Sequence, residues 1–216
     1  MFKRNKFDIT GVSIAVFFVI SCGNNSLPTS DLIMRMENAV YSRYKYALAD
    51  SLCDVILTAD DIPSSFYSKA VYVKRMNKKW DEGIMLAGVG LGKEVDRADS
   101  VVILTQLMEV FAASGRLREA IECVRTLNNK LCESDRRRFG VLYKLGDLYF
   151  DIADYDQALA YHTLAYRNAQ ERNDETLEQQ AANELYFDNF VLGLQDSAIF
   201  YFEEYRLDTL YEKSNR

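Results

Sequence analysis

Histidine occurs once in 216 residues, tryptophan once and proline twice. One histidine cannot build a histidine metal cluster. The four cysteines, Cys22, Cys53, Cys123 and Cys132, contain no CxxC pair, so zinc-site and dithiol chemistry lack their ligands. With two prolines, long stretches run without a helix breaker. Basic excess is missing too: the formal net charge is -6 and becomes about -8 once residues 1 to 21 are set aside, so no nucleic acid is expected as partner. Past the first 25 residues no apolar stretch approaches the ~20 residues a spanning helix needs. A phosphate loop is absent as well. Gly88, Gly90 and Gly92 precede Lys93, but Glu94 follows the lysine and no strand pattern comes before it, so small residues for helix packing are the better account.

What is present begins at the N terminus. Lys3, Arg4 and Lys6 form a basic leader, an apolar run from Ile9 to Ser21 follows, and Val19, Ile20, Ser21 and Cys22 close it. The run is about 13 residues, signal-peptide length rather than membrane-spanning length. The closing four residues resemble the lipobox of bacterial lipoproteins, with Ile20 standing where Ala or Ser is more usual. The resemblance implies a signal peptide over residues 1–21, cleavage before Cys22, and a diacylglyceryl group on its thiol, usually with a third amide-linked chain such as palmitate. Several chains are needed, since each buried methylene contributes only ~0.8 kcal/mol and one chain binds reversibly. Residues 22–30 then read as the lipidated cysteine and a polar, turn-prone tether. Surface lipoproteins of the Bacteroidota often carry an acidic cluster just after the cysteine. Here the first acid is Asp31 and no Asp follows Cys22 directly, which by that resemblance implies the outer membrane, facing the periplasm.

From residue 31 to 216 apolar residues recur at spacings of three and four with breaks rich in Asp, Asn, Gly and Ser, the amphipathic-helix signal. Leu142, Leu145, Leu148, Tyr149 and Ile152 form one stripe, Ala153 to Tyr155 turns the chain, and Ala158, Leu159, His162, Ala165 and Tyr166 form a second. This is an antiparallel helix pair, and its phase returns. Leu104, Leu107, Met108, Phe111, Gly115, Ala120 and Ile121 repeat it upstream, preceded by Tyr67, Ala70, Val71, Gly83, Ala87 and Gly90. Ala182, Leu185, Tyr186, Ala198 and Phe202 repeat it downstream. Residues 142–170 resemble a tetratricopeptide repeat: Leu142, Leu145, Gly146, Tyr149, Ala158 and Ala165 fill its large and small positions, although its Trp and terminal Pro are missing. The resemblance implies an all-α, right-handed solenoid of about five helical hairpins. Its small residues fall at Ala47, Gly83, Ala120, Ala158 and Ala198, intervals of 36 to 40 residues. The last helix, Ser197 to Tyr211, is expected to cap the stack, with Phe200, Tyr201, Phe202, Tyr205 and Tyr211 on an aromatic face.

Catalytic chemistry finds little support. His162 stands where the repeat expects a large packing residue and reads as core. Asp147, Asp151, Asp154 and Asp156 look like a carboxylate group, yet Asp154 and Asp156 fall where acids cap a helix start. Arg136, Arg137 and Arg138 read as a solvated helix start needing an acidic neighbour such as Glu133 or Asp135. Cys53 and Cys123 lie in apolar segments as small buried hydrophobes. No enzyme, cofactor or metal is expected.

In tetratricopeptide proteins the inner face of the first helices carries the ligand. By that resemblance the groove holds Tyr72, Arg75, Thr105, Glu109, Tyr143, Asp147, Phe150, Asp151, Asn183, Phe187 and Phe190, and lacks the Lys and Asn pattern that clamps a C-terminal carboxylate. Aromatic and acidic side chains suit a protein or peptide ligand bearing basic and apolar groups. The expectation is a protein-binding scaffold anchored by lipid in the cell envelope. An accessory subunit of an outer-membrane assembly or uptake complex, or a sensory ectodomain, is the alternative.

Overall fold

In the computed structural model of the chain, residues 27–42, 44–93, 96–132 and 134–203 are described. The leader, Cys22 and residues 23–26 of the tether, as well as Glu133, Tyr205 and Tyr211, lie outside the described residues. Among the described residues there is no strand. The chain divides into two compact units, Met1–Phe66 and Tyr67–Arg216.

The first unit holds α1 (Thr29–Tyr41) and α2 (Tyr46–Ile56), a hairpin whose buried residues include Met36, Val40, Ala49, Cys53 and Ile56. Helix α3 (Ser64–Met76) crosses the boundary between units. The second unit continues with α4 (Trp80–Leu91), α5 (Arg97–Ala113), α6 (Leu117–Lys130), α7 (Arg138–Asp151), α8 (Tyr155–Glu171), α9 (Glu175–Val191) and a last helical stretch over 195–203. Successive helices pair as hairpins, and the described residues make five of them, as the repeat phase predicts.

Each hairpin turns by the same device. A residue with positive φ ends the first helix, at Tyr44, Lys78, Gly115, Ala153 and Gly193, and Asn173 does the same between α8 and α9. The amide after it reaches back to a carbonyl the ending helix leaves open, as in Arg116 N–H to Phe111 O at 2.8 Å and Asp154 N–H to Tyr149 O at 2.9 Å. Three starts are capped by aspartate: Asp96 accepts from Asp99 N–H, Asp154 from Gln157 N–H and Asp174 from Leu177 N–H. Asp154 thus does the capping its position implies, and Asp156 lies in the first turn of α8.

Close approach follows from a small fourth residue in every second helix: Ala49, Gly83, Ala120, Ala158 and Ala198, all buried. Sequence phase places the first of these at Ala47, and the structure corrects it. Because α2 starts at Tyr46, Ala47 is its second residue and is exposed, whereas Ala49 is fully buried. The first interval, Ala49 to Gly83, is therefore 34 residues. In the first four of these helices the residue four further on is Cys53, Ala87, Val124 or His162, each buried, so His162 fills a position that is otherwise apolar.

Apolar clusters run through the second unit. Met108 and Phe111 of α5 meet Ile121 and Val124 of α6 and Leu145, Leu148 and Tyr149 of α7. Next, Phe139 and Leu142 of α7 pack with Ala165, Tyr166 and Ala169 of α8 and with Ala181, Ala182 and Leu185 of α9. Helices α6, α7 and α8 thereby each cover one neighbour before and one after, the nearest-neighbour burial that stabilises a repeat stack. Gly90 permits one such approach, since a Cβ there would lie 2.7 Å from Tyr67 Cβ. Of the expected cap, Tyr201 packs edge-on against Tyr166 at 5.7 Å, while Ile199, Phe200 and Phe202 stay exposed.

Candidate functional site

The groove residues expected from phase form two groups. On α3 and α5, the Arg75 guanidinium lies 5.1 Å over the Tyr72 ring and 3.9 Å from the Glu109 carboxylate, all three side chains half-buried. Thr105 turns its hydroxyl inward to Val101 O at 2.8 Å. The second group lies on α7 and α9. Tyr143, Asp147 and Phe150 follow each other at i, i+4 and i+7 on α7, and Asn183, Phe187 and Phe190 do so on α9. Phe150 is half-buried against Tyr155 at 5.1 Å and Asp151 is exposed at the end of α7. Phe187 and Phe190 are 45% and 66% exposed, gathered round the Tyr186 ring at 5.0 and 6.1 Å.

A polar network joins the two helices beneath that face. Tyr143 O–H donates to Glu184 Oε1 at 2.9 Å, and Asn183 Nδ2 donates to the same oxygen at 3.3 Å. Burial, then the hydrogen bond and charge of Glu184 and the charge of Asp147, push the Tyr143 phenol well above its ordinary range, so it remains a donor. The Tyr143 ring lies 5.5 Å from that of His162. His162, on α8, is 1% exposed, with Nδ1 2.7 Å from Asp188 Oδ2, a carboxylate equally buried, and Nε2 3.5 Å from Asp147 Oδ1. Burial by itself pulls the imidazole pKa down. The hydrogen bonds and charges of Asp147 and Asp188 outweigh it and lift the value to about 9, so the ring is an imidazolium at neutral pH.

His162 is therefore in the core, as its position predicts, but as one end of a buried ion pair rather than as apolar filler. Asp188 and Glu184 carry half of this arrangement, and sequence reasoning does not single them out. A signal for Asp188 exists: it continues the buried α9 stripe of Ala181 and Leu185, and an acid on a buried stripe calls for a cation. Both nitrogens of His162 are turned to carboxylates.

The other singled-out groups have local roles. Asp135 holds Arg137 through two side-chain contacts of 2.8 and 3.0 Å, which drop the Asp135 pKa to about 2. This supplies the acid that the arginine run needs. Arg172 donates to Arg136 O, and the surrounding hollow of Ser134, Arg136, Asn168, Glu171, Arg172 and Asp174 balances two guanidiniums against two carboxylates. Cys53 and Cys123 are buried thiols, while Cys132 is exposed.

No family model matches the chain, and no curated protein does. Solved structures do. The Podosopora anserina kinesin light chain nearly identical TPR-like repeats align with a TM-score of 0.72 at 14% identity, covering 88% of this chain and 100% of that one. The apo form of RapI aligns with a TM-score of 0.74 at 15% identity, covering 89% and 57%. A STAND protein with a tetratricopeptide repeat sensor from Pyrococcus horikoshii aligns with a TM-score of 0.71 at 17% identity over 87% of this chain, which spans only 30% of that protein. At these identities the likeness is one of fold, and the fold is the tetratricopeptide-like helical-hairpin array.

Proposed function

We propose that the chain is a non-catalytic protein-binding scaffold of the bacterial cell envelope, held to a membrane by lipid on Cys22, with the α7 and α9 face as its binding surface. One observation carries the binding reading: Phe187 and Phe190 stand 45% and 66% exposed on α9, above a network that includes the partly exposed Asp147 and Glu184. Exposed aromatics beside polar anchors are the composition of recognition surfaces rather than of solvated helix. The fold's solved relatives include repeat arrays and a repeat sensor, which agrees with a binding role. Anchoring is supported by Lys3, Arg4 and Lys6, the apolar run and the Val19 to Cys22 pattern, on which residues 1–21 are a leader and 22–30 a tether. Among the described residues no helix is long and apolar enough to cross a membrane, so on this reading the lipid does the holding. The periplasmic face of the outer membrane is the proposed location.

Two measurements test this. Labelling cells with an alkyne fatty acid should tag the wild-type protein and leave Cys22→Ala unlabelled. Mild crosslinking and capture from envelope extracts should recover a protein partner with wild type and lose it when Tyr143, Phe150 and Phe187 are all changed to Ala. An unchanged partner set would remove the groove from the account. A second reading, an accessory subunit of an outer-membrane assembly or uptake complex, draws on the exposed Ile199, Phe200 and Phe202 at the end of the described chain. Co-purification with a β-barrel in detergent would favour it.

A further inference from the structure

We infer that the α7 and α9 face contains a subsite for a basic side chain, formed by Asp147 and Glu184 around Tyr143, so that the ligand is a cationic, apolar protein segment. The inference rests on the binding reading above and adds the chemistry of the ligand.

The network holds more acceptors than donors. Glu184 accepts only from the neutral Tyr143 and Asn183, and among the described residues no cation pairs with it. Asp147 is held only by long ion-pair contacts, with Lys144 at 3.9 Å and with His162 Nε2 at 3.5 Å. Asp151, one turn further along α7, is exposed. Below them Asp188 Oδ1 is buried without a hydrogen-bond partner, as is His162 Nε2, which faces Asp147. A carboxylate bonded only by neutral donors and a second held only by long contacts, above a buried and incompletely satisfied ion pair, form a site that a guanidinium or ammonium completes and a ligand carboxylate opposes. Of the three negative charges Asp147, Glu184 and Asp188, the imidazolium and Lys144 offset two, and one is left over.

The aromatic half fixes the spacing. Phe190 follows Glu184 by six residues on α9, about 9 Å along the axis. An amphipathic ligand helix matches this distance with a basic and an apolar side chain seven residues apart on one face.

The test uses the full chain in detergent and two fluorescein-labelled amphipathic helical peptides, identical in their leucines and differing by Arg or Glu at the same positions. The Arg peptide should bind at least about tenfold more tightly than the Glu peptide, and added salt should narrow the gap. Glu184→Gln should reduce the preference, and Glu184→Gln with Asp147→Asn should erase it, with thermal melts confirming that both variants fold. Equal binding of the two peptides, a preference that survives both substitutions, or binding of neither peptide would overturn the subsite. Phe190→Ala separates the two failures. If it weakens both peptides while the charge changes do nothing, the groove stands and the subsite falls; if it too changes nothing, the groove reading falls with it.

Discussion

A Cβ placed on Gly146 would lie 2.2 Å from both Cδ2 and Nε2 of His162, so the missing side chain on α7 and the ring on α8 are one structural feature. The glycine gives the imidazole its room, and the imidazole in turn reaches Asp188 on α9. Three successive helices are tied through a single position.

The first expected outcome concerns that contact. Gly146→Ala should destabilise the fold by about 2–3 kcal/mol, because the ring is buried and its partners hold it from two sides. Combining it with His162→Ala should cost less than the two changes summed, since removing the ring removes the clash. Urea unfolding of the four proteins of this cycle measures the coupling.

Stability should fall as pH rises. The folded His162 pKa, about 9, lies above the ordinary imidazole value of 6.5, so the folded state holds this proton more tightly than the unfolded chain. The contribution is fully present below about pH 6.5 and is lost as pH climbs through about 9. Thermal melting between pH 6 and 9.5 should show a declining Tm. Changing His162 and Asp188 together to Leu should flatten that decline. His162→Leu alone should be severely destabilising, because it strands the buried Asp188 charge.

The turns supply an expected gain. Ala153 holds φ 60° and Lys78 φ 58°, a region that disfavours side chains with a Cβ. Ala153→Gly should stabilise the chain by roughly 0.5–1 kcal/mol, whereas Gly115→Ala, at φ 78°, should cost about as much. Denaturation midpoints with unchanged slopes would register both.

The thiols should separate by reactivity. Cys132 is exposed and its hydrogen bond to Ser134 draws its pKa down, while burial, helped by Glu122 and Glu119, pushes Cys123 up to about 11. Brief iodoacetamide treatment at neutral pH followed by peptide mass spectrometry should find Cys132 alkylated and Cys53 and Cys123 protected until the protein is unfolded.

Much of the architecture is legible in the sequence because helix pairing needs small residues at fixed phase, and Gly83, Ala120, Ala158 and Ala198 carry that phase openly. Phase sets the first hairpin two residues early because its turn runs through Tyr44, a left-handed position with no glycine to mark it. Lys78 and Asn173 conceal their turns in the same way, whereas the turn at Ala153 is legible between two stripes; at all three the open carbonyls of the ending helix, not intrinsic preference, hold the residue there. The α7 stripe of Tyr143, Asp147 and Phe150 can be placed by phase once the repeat resemblance is recognised. Its connection to Glu184 and Asp188 cannot, since those pairs join residues 41 and 26 positions apart and depend on how α7, α8 and α9 stack.

The most direct measurement of the central claim is site-specific photocrosslinking in intact cells, with the reactive residue placed at Phe187 or Phe190 and, separately, at the exposed Ala160 and Arg167 of α8. The account predicts a discrete protein adduct from the two α9 positions and none from α8. Adducts from α8 alone, or none from α9 while the protein is folded and expressed, would contradict it.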